Sequence, residues 1–272
     1  MDTKPVRVTD FREKKRRGEK IAILTAYDAT MAALLDRSGV DALLVGDSVG
    51  MVVLGHDSTL PVTLPDMIHH TAAVVRGTRR ALVIADMPFM TYQAGLDEAV
   101  RNAGRLIQEG GAAAVKLEGG RPVLEVVRRL VDIGVPVMGH LGLQPQSVNQ
   151  LGGYRKRGAD REEADEIVAD AEALQMAGAF ALVMESVPAE LGARATRALD
   201  IPVIGIGAGA DCDGQVLVIN DMLGLTTGHV PSFAKQYSQL ADTIGQAVTQ
   251  YVDDVRAGRF PQASTAAGQT VK

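Results

Sequence analysis

The stretch LDEAVRNAGRLIQEGGAAAVKLEGGRPVLEVVRRLVDIGVPVMGH, residues 96–140, decides the fold. Leu96, Ala99, Val100, Ala103, Leu106 and Ile107 recur at the i, i+3, i+4, i+7 spacing of a helix with one apolar face, and Gly110-Gly111 stops it. Ala113–Leu117 is then a short, continuous apolar run, as a strand covered on both faces requires. Val123, Val126, Val127, Leu130 and Val131 repeat the helical stripe. Gly134 ends it, and Val135–Gly139 is the next strand.

The same unit recurs outward in both directions. Apolar runs at Ile21–Ala26, Ala42–Gly46, Ala81–Ala85, Ala179–Met184, Ile201–Ile206 and Val216–Ile219 bring the predicted strands to eight. Between them, Asp28 is placed to cap a helix carrying Met31, Leu34 and Leu35, closed by Gly39. Ala164, Ile167, Val168, Ala171 and Leu174 form another stripe before Gly178, and Pro188 marks a helix start. A helix over residues 9–20 is expected ahead of the first strand, and residues 233–255 read as a final amphipathic stretch. Eight β/α alternations in about 240 residues predict a single closed (β/α)8 barrel, with an open doubly wound sheet as the runner-up. The expected domain is 1–261, followed by a small polar tail at 262–272.

Composition narrows the function. The 272 residues carry 28 Lys and Arg against 33 Asp and Glu, so the net charge of −5 offers no general attraction to phosphate backbones or anionic membranes. The run Lys14-Lys15-Arg16-Arg17 is therefore read as a solvated helix face rather than a nucleic-acid patch. One cysteine, Cys212, excludes an intramolecular disulfide framework and a CxxC zinc site. No apolar run approaches the roughly 20 residues of a membrane span, and the start of the sequence lacks a secretory pattern, so a cytoplasmic protein is expected. Two long connections, 47–64 and 141–160, are candidate binding or closing loops.

In a barrel of this kind chemistry collects where strands end, and those positions are acidic: Asp47-Ser48, Asp86, Lys116 with Glu118, His140, Glu185 and Asp221. Residues two apart on a strand share a side, so Lys116 and Glu118 face the same way. Three carboxyls at successive strand ends repel one another unless protonated or neutralised. An oxygen-only donor set of Asp47, Asp86 and Glu118 points to magnesium rather than zinc. Each acid singly is equally well read as a helix cap. Glu185, expected to stand alone across the barrel, suits a general base. Gly205-Ile206-Gly207-Ala208-Gly209-Ala210 matches a dinucleotide fingerprint, but no helix pattern follows it, so it is read as close backbone packing or a substrate-facing loop. Asp211 and Asp213 are read as solvated loop residues, His69-His70 as helical, and Cys212 as unreactive.

At these strand ends the sequence resembles the ketopantoate hydroxymethyltransferase family. The matching residues are Leu24-Thr25-Ala26-Tyr27-Asp28, Gly46-Asp47-Ser48-Val49-Gly50-Met51, Asp86-Met87-Pro88-Phe89, Lys116-Leu117-Glu118-Gly119-Gly120, Gly139-His140-Leu141-Gly142, Gln146-Ser147 and Glu185-Ser186-Val187-Pro188. The resemblance implies a TIM barrel of the phosphoenolpyruvate/pyruvate-binding type, a homodecamer, Mg2+, methylene-tetrahydrofolate as one-carbon donor and α-ketoisovalerate as acceptor. It implies Asp47, Asp86 and Glu118 as metal positions, Asp47, Ser48, Asp86 and Lys116 as keto-acid contacts, and Glu185 as proton acceptor. Tyr27 and His140 are expected to line the site. Two rivals stand beside it: a magnesium-dependent carbon–carbon lyase on the same barrel, and a non-catalytic metabolite-binding barrel. The absence of a Lys-Cys-Gly lid motif argues against the first, and the presence of Glu185 against the second.

Overall fold

Every strand of the barrel contributes apolar side chains to the interior around its axis. The computed structural model describes residues 4–228 and 230–261. Eight strands close in chain order, each parallel to its neighbours: β1 (Ile21–Thr25), β2 (Ala42–Val45), β3 (Leu82–Asp86), β4 (Ala114–Lys116), β5 (Val137–Gly142), β6 (Ala181–Glu185), β7 (Val203–Ile206) and β8 (Gly214–Leu217). Ile21 and Ile23, Ala42 and Leu44, Leu82 and Ile84, Ala114, Met138, Ala181 and Val183, Ile204 and Val216 form one buried cluster. This is the period of two expected of strands, turned inward to fill a packed core rather than a pore.

The helices bury the faces that their periodicity predicted. On α5 (Leu96–Gln108) Ala99, Ala103 and Leu106 are buried, and on α6 (Leu124–Asp132) Val126, Val127 and Leu130. Burying a Leu or Val side chain in this way contributes about 1.5–3 kcal/mol. Asp28 caps the helix over Ala29–Arg37, accepting the Met31 N–H at 2.8 Å. Asp160 caps the helix over Arg161–Met176 in the same way, through the Glu163 N–H at 2.9 Å. His69 and His70 lie on the helix over Leu64–Gly77, and Cys212 is buried and free. Gly209 packs as its motif suggested, since a Cβ there would stand 2.7 Å from that of Ala189.

Two readings need correction, that of the basic run and that of Asp213, and the structure adds detail to two others. The two long connections are partly ordered into short helices, Val49–Val52 in the first and Val148–Leu151 in the second. The helix expected over residues 9–20 is α1 (Val8–Arg16), and it seals the N-terminal end of the barrel. Its Phe11 is fully buried in the interior cluster and meets Phe180 edge-on at 5.5 Å. The basic run is accordingly not a solvated face throughout: Lys14 Nζ pairs with Asp41 at 2.9 Å and Lys15 Nζ with Asp213 at 2.8 Å. Lys15 also donates to the carbonyls of Thr196 and Ile201. Asp213, expected to be solvated, is largely buried because it accepts both Lys15 and the Val203 N–H at 2.9 Å. Nothing in spacing announces such a pair across 198 residues.

By contact the chain divides into two compact units, Met1–Ile219 and Asn220–Lys272. The first holds the entire barrel. In the second, the expected amphipathic stretch forms a helix only over Leu240–Arg256. The polar tail expected at 262–272 lies outside the described residues.

The N-terminal seal gives a direct test. Asp213→Ala strands the Lys15 ammonium and the Val203 N–H, and we expect a loss of about 2–3 kcal/mol in urea unfolding, toward the lower end for a partly buried pair. The exposed neighbour substitution Asp211→Ala is expected to change stability by no more than about 0.5 kcal/mol.

Candidate active site

One layer above the apolar filling, the same inward columns become charged. Ile84 is followed two residues on by Asp86, Ala114 by Lys116, Met138 by His140 and Val183 by Glu185. Glu118 extends the Lys116 column past the end of β4. Asp47 enters from the turn after β2, where its N–H donates to Asp86 Oδ2 at 3.1 Å. All of them are buried except Glu185, whose side chain retains 16% of its exposure.

The groups form a connected array. Lys116 Nζ lies 2.9 Å from Asp86 Oδ1 and 3.3 Å from His140 Nδ1. The His140 ring then stands between two acids, with Nδ1 3.4 Å from Glu118 Oε1 and Nε2 3.2 Å from Glu185 Oε2. Glu185 is therefore not isolated, as the sequence had suggested. It sits on the strand next to β5, and His140 links it to the acidic cluster. On the other flank, Tyr27 Oη and Ser48 Oγ share a hydrogen bond of 2.8 Å, and the Tyr27 carbonyl is 2.7 Å from His70 Nδ1.

Four carboxyls thus face one ammonium and one imidazole. Burial, together with the charges of Asp86 and Glu118, pushes the Asp47 carboxyl well above the usual carboxylate range. Burial also raises Asp86, with Lys116 pulling the other way. Burial and the Lys116 charge disfavour a protonated His140, yet Glu118 and Glu185 outweigh them and hold its pKa up at about 9. Burial opposes ionisation of Glu118, but His140 and Lys116 hold that carboxyl down. The site as it stands has an excess of negative charge awaiting a cation or a proton.

Sequence reasoning missed two participants. Gln146, in the turn Pro145–Ser147 after β5, is buried, and its side chain bonds Asp47 Oδ2 at 2.8 Å while its N–H donates to Glu118 Oε2 at 3.0 Å. Tyr92, after β3, places its hydroxyl 2.7 Å from Gln146 Oε1 and accepts the Glu118 N–H at 3.1 Å. Neither residue lies in a periodic segment, so only three-dimensional contact reveals them. Asp221, also noted at a strand end, belongs to the second unit and bonds Thr226 there.

The chain is similar to known proteins over nearly its whole length. The family described as Ketopantoate hydroxymethyltransferase matches residues 5–263. A 3-methyl-2-oxobutanoate hydroxymethyltransferase of Syntrophus aciditrophicus is 58% identical over 251 residues, covering 92% of each chain. One from Moorella thermoacetica is 57% identical over 256 residues, covering 94% of this chain and 95% of its own. Among solved structures, a 2,3-dimethylmalate lyase of the PEP mutase/isocitrate lyase superfamily superposes with a TM-score of 0.60 at 18% identity, covering 94% and 86% of the two chains. Phosphoenolpyruvate phosphomutase of Streptomyces platensis gives 0.60 at 15%, covering 97% and 92%. At such identities these structures show the fold alone, a (β/α)8 barrel.

Glu185 is positioned by a glycine. Gly142, with φ of +88°, pairs with Glu185 across β5 and β6, and a Cβ there would stand 2.2 Å from the Glu185 carbonyl oxygen. We expect Gly142→Ala to lower stability by about 2 kcal/mol, as left-handed strain and a backbone clash imply. Turnover should fall more than substrate affinity, because the strand carrying Glu185 must move; urea unfolding and steady-state kinetics measure the two effects.

Proposed function

The chain belongs to the ketopantoate hydroxymethyltransferase family, and from that premise we propose how its own residues carry the reaction. The protein is a transferase that forms ketopantoate from 3-methyl-2-oxobutanoate (α-ketoisovalerate), in pantothenate biosynthesis. The observation that carries the residue assignment is the buried, over-acidic layer with Glu185 as its single partly accessible acid. A carbon–carbon lyase or a non-catalytic barrel is not favoured beside relatives of this identity.

The site suits magnesium by the chemistry of its donors. Asp47, Asp86 and Glu118 offer hard oxygens, and Asp86 Oδ1, although beside Lys116, is buried without a well-aligned hydrogen bond. Among the described residues no three acidic, histidine or cysteine groups converge tightly enough to cage an ion alone. That accords with magnesium, which is usually held through one or two carboxylates while water and substrate oxygens complete its shell. Asp47, Asp86 and Glu118 would hold it, directly or through water. When bound, it supplies Lewis-acid polarisation of the keto acid.

The remaining work falls to side chains. Ser48, Asp47, Asp86 and Lys116 hold the keto acid, with Tyr27 fixing Ser48 through their mutual hydrogen bond. Glu185 removes the methine proton beside the carbonyl, and the Lys116 ammonium stabilises the charge left behind. His140, held between Glu118 and Glu185, orients the base and balances the proton it gains. The carbanionic carbon attacks the one-carbon unit of methylene-tetrahydrofolate, opened to its iminium form. Water then splits the carbon–nitrogen bond, leaving its hydroxyl on the product and its proton on the folate nitrogen. Gln146 pins the start of the connection at 141–160 into the site, so any closure involves the residues beyond it. We further propose a cytoplasmic homodecamer; no helix among the described residues is long and apolar enough to cross a membrane.

In D2O with magnesium and α-ketoisovalerate alone, the wild type should exchange the methine proton, and Glu185→Gln should exchange at least 100-fold more slowly, the low end of a general base's usual contribution. Exchange at the wild-type rate removes Glu185 as the base. Asp86→Asn should require at least about tenfold more magnesium for half-maximal exchange. An unchanged magnesium titration removes Asp86 from the metal site.

A further inference from the structure

Gln146 is a neutral side chain inside the acidic layer whose hydrogen-bonding groups are all engaged. Its Nε2 donates to Asp47 Oδ2 at 2.8 Å and to the Met87 carbonyl at 2.9 Å. Its Oε1 accepts the Tyr92 hydroxyl at 2.7 Å and Gln93 Nε2 at 3.2 Å. An amide carries two donors and two acceptor sites, so this set is complete, and it leaves only one orientation. Tyr92 is held in turn: its hydroxyl accepts the Glu118 N–H at 3.1 Å, and its single proton has the Gln146 Oε1 at 2.7 Å as a nearer acceptor than the Glu118 carbonyl at 3.2 Å.

We propose that the Gln146 side chain is a positioning residue for Asp47: a neutral donor, locked by Tyr92, that fixes the carboxylate for a divalent cation without neutralising it. The proposal rests on the reading of Asp47 as a cation ligand. Lysine or arginine at this place would orient the carboxylate equally well but would cancel the charge that attracts the cation. An amide orients it and leaves that charge intact. Hydrogen-bonded support of a ligating carboxylate is commonly worth 10–100-fold in metal affinity. The reach also explains the architecture, because Gln146 comes from the β5 end yet ties the turn after β2 to the segment after β3. Glu118 is held separately through the Gln146 backbone N–H, which survives any substitution and confines a side-chain variant to Asp47.

Gln146→Met fills similar volume without donors, so it separates positioning from space-filling. The magnesium dissociation constant, measured by calorimetry on the metal-free protein, should rise about tenfold or more. The KM for α-ketoisovalerate should rise with it, while kcat at saturating magnesium stays within about threefold of wild type. A wild-type magnesium affinity in folded Gln146→Met overturns the proposal. Should that variant fail to fold, Tyr92→Phe decides: weaker magnesium binding with an unchanged melting temperature upholds it, and wild-type affinity overturns it. If the wild-type protein itself binds no magnesium, the metal reading has failed rather than the tether. Proton exchange from the keto acid then judges the tether, a tenfold loss in Gln146→Met upholding it and the wild-type rate overturning it.

Discussion

The constraint on which this molecule depends is the stacking of a charged layer directly on an apolar one within a single set of inward-facing columns. Ile84, Ala114, Met138 and Val183 fill the barrel; Asp86, Lys116, His140 and Glu185 follow them two residues later. The strand period makes this unavoidable: any residue continuing a core column past the last filled layer faces the axis. Four carboxyls placed there, shielded from water, would be prohibitively costly if all ionised without partners. Lys116 and His140 offset part of the cost, hydrogen bonds to Asp47, Asp86 and Glu118 another part. The remainder is a demand for a cation or a proton.

The two ends of the barrel resolve this differently. At the N-terminal end the charged groups pair one to one, Lys15 with Asp213 and Lys14 with Asp41, and α1 closes over them with Phe11. Each of these pairs is balanced, and that end serves stability. At the other end charges outnumber their partners, and that end serves chemistry. The asymmetry explains how a chain with a net charge of only −5 concentrates acidity where a small anionic keto acid must bind. Under the proposed assignment, Lys116 and a bound cation would meet the oxygens of that anion.

The barrel was legible because its signals are local and redundant. Continuous strands such as Ala113–Leu117 recur eight times, with helical stripes such as Leu96–Ile107 between most of them, so an error at one boundary leaves the architecture unchanged. Asp47, Asp86, Glu118 and Glu185 were legible as candidates because the fold says where to look, at strand ends. The role of His140 was half hidden: its place in the Met138 column followed from spacing, but its position between Glu118 and Glu185 is set by how β4, β5 and β6 lie side by side. The Lys15–Asp213 pair and the Gln146–Asp47 bond were not legible at all. Each joins residues about 100 or more positions apart, with no period to connect them.

That division follows from the physics of the two kinds of residue. A core position is specified by hydrophobicity, which periodicity records along the chain. A positioning residue is specified by the geometry of its partners, and its own type is common in exposed loops; Gln146 is recognisable only once Asp47, Met87, Tyr92 and Gln93 surround it. Burial then inverts the usual expectation. On a surface a glutamine amide contributes little, because water substitutes for its hydrogen bonds, whereas in a layer closed to water each lost bond leaves an unpaired group at a cost of about 1–3 kcal/mol. The least conspicuous polar residue of the site is therefore among those least able to be replaced by one that merely fills its space.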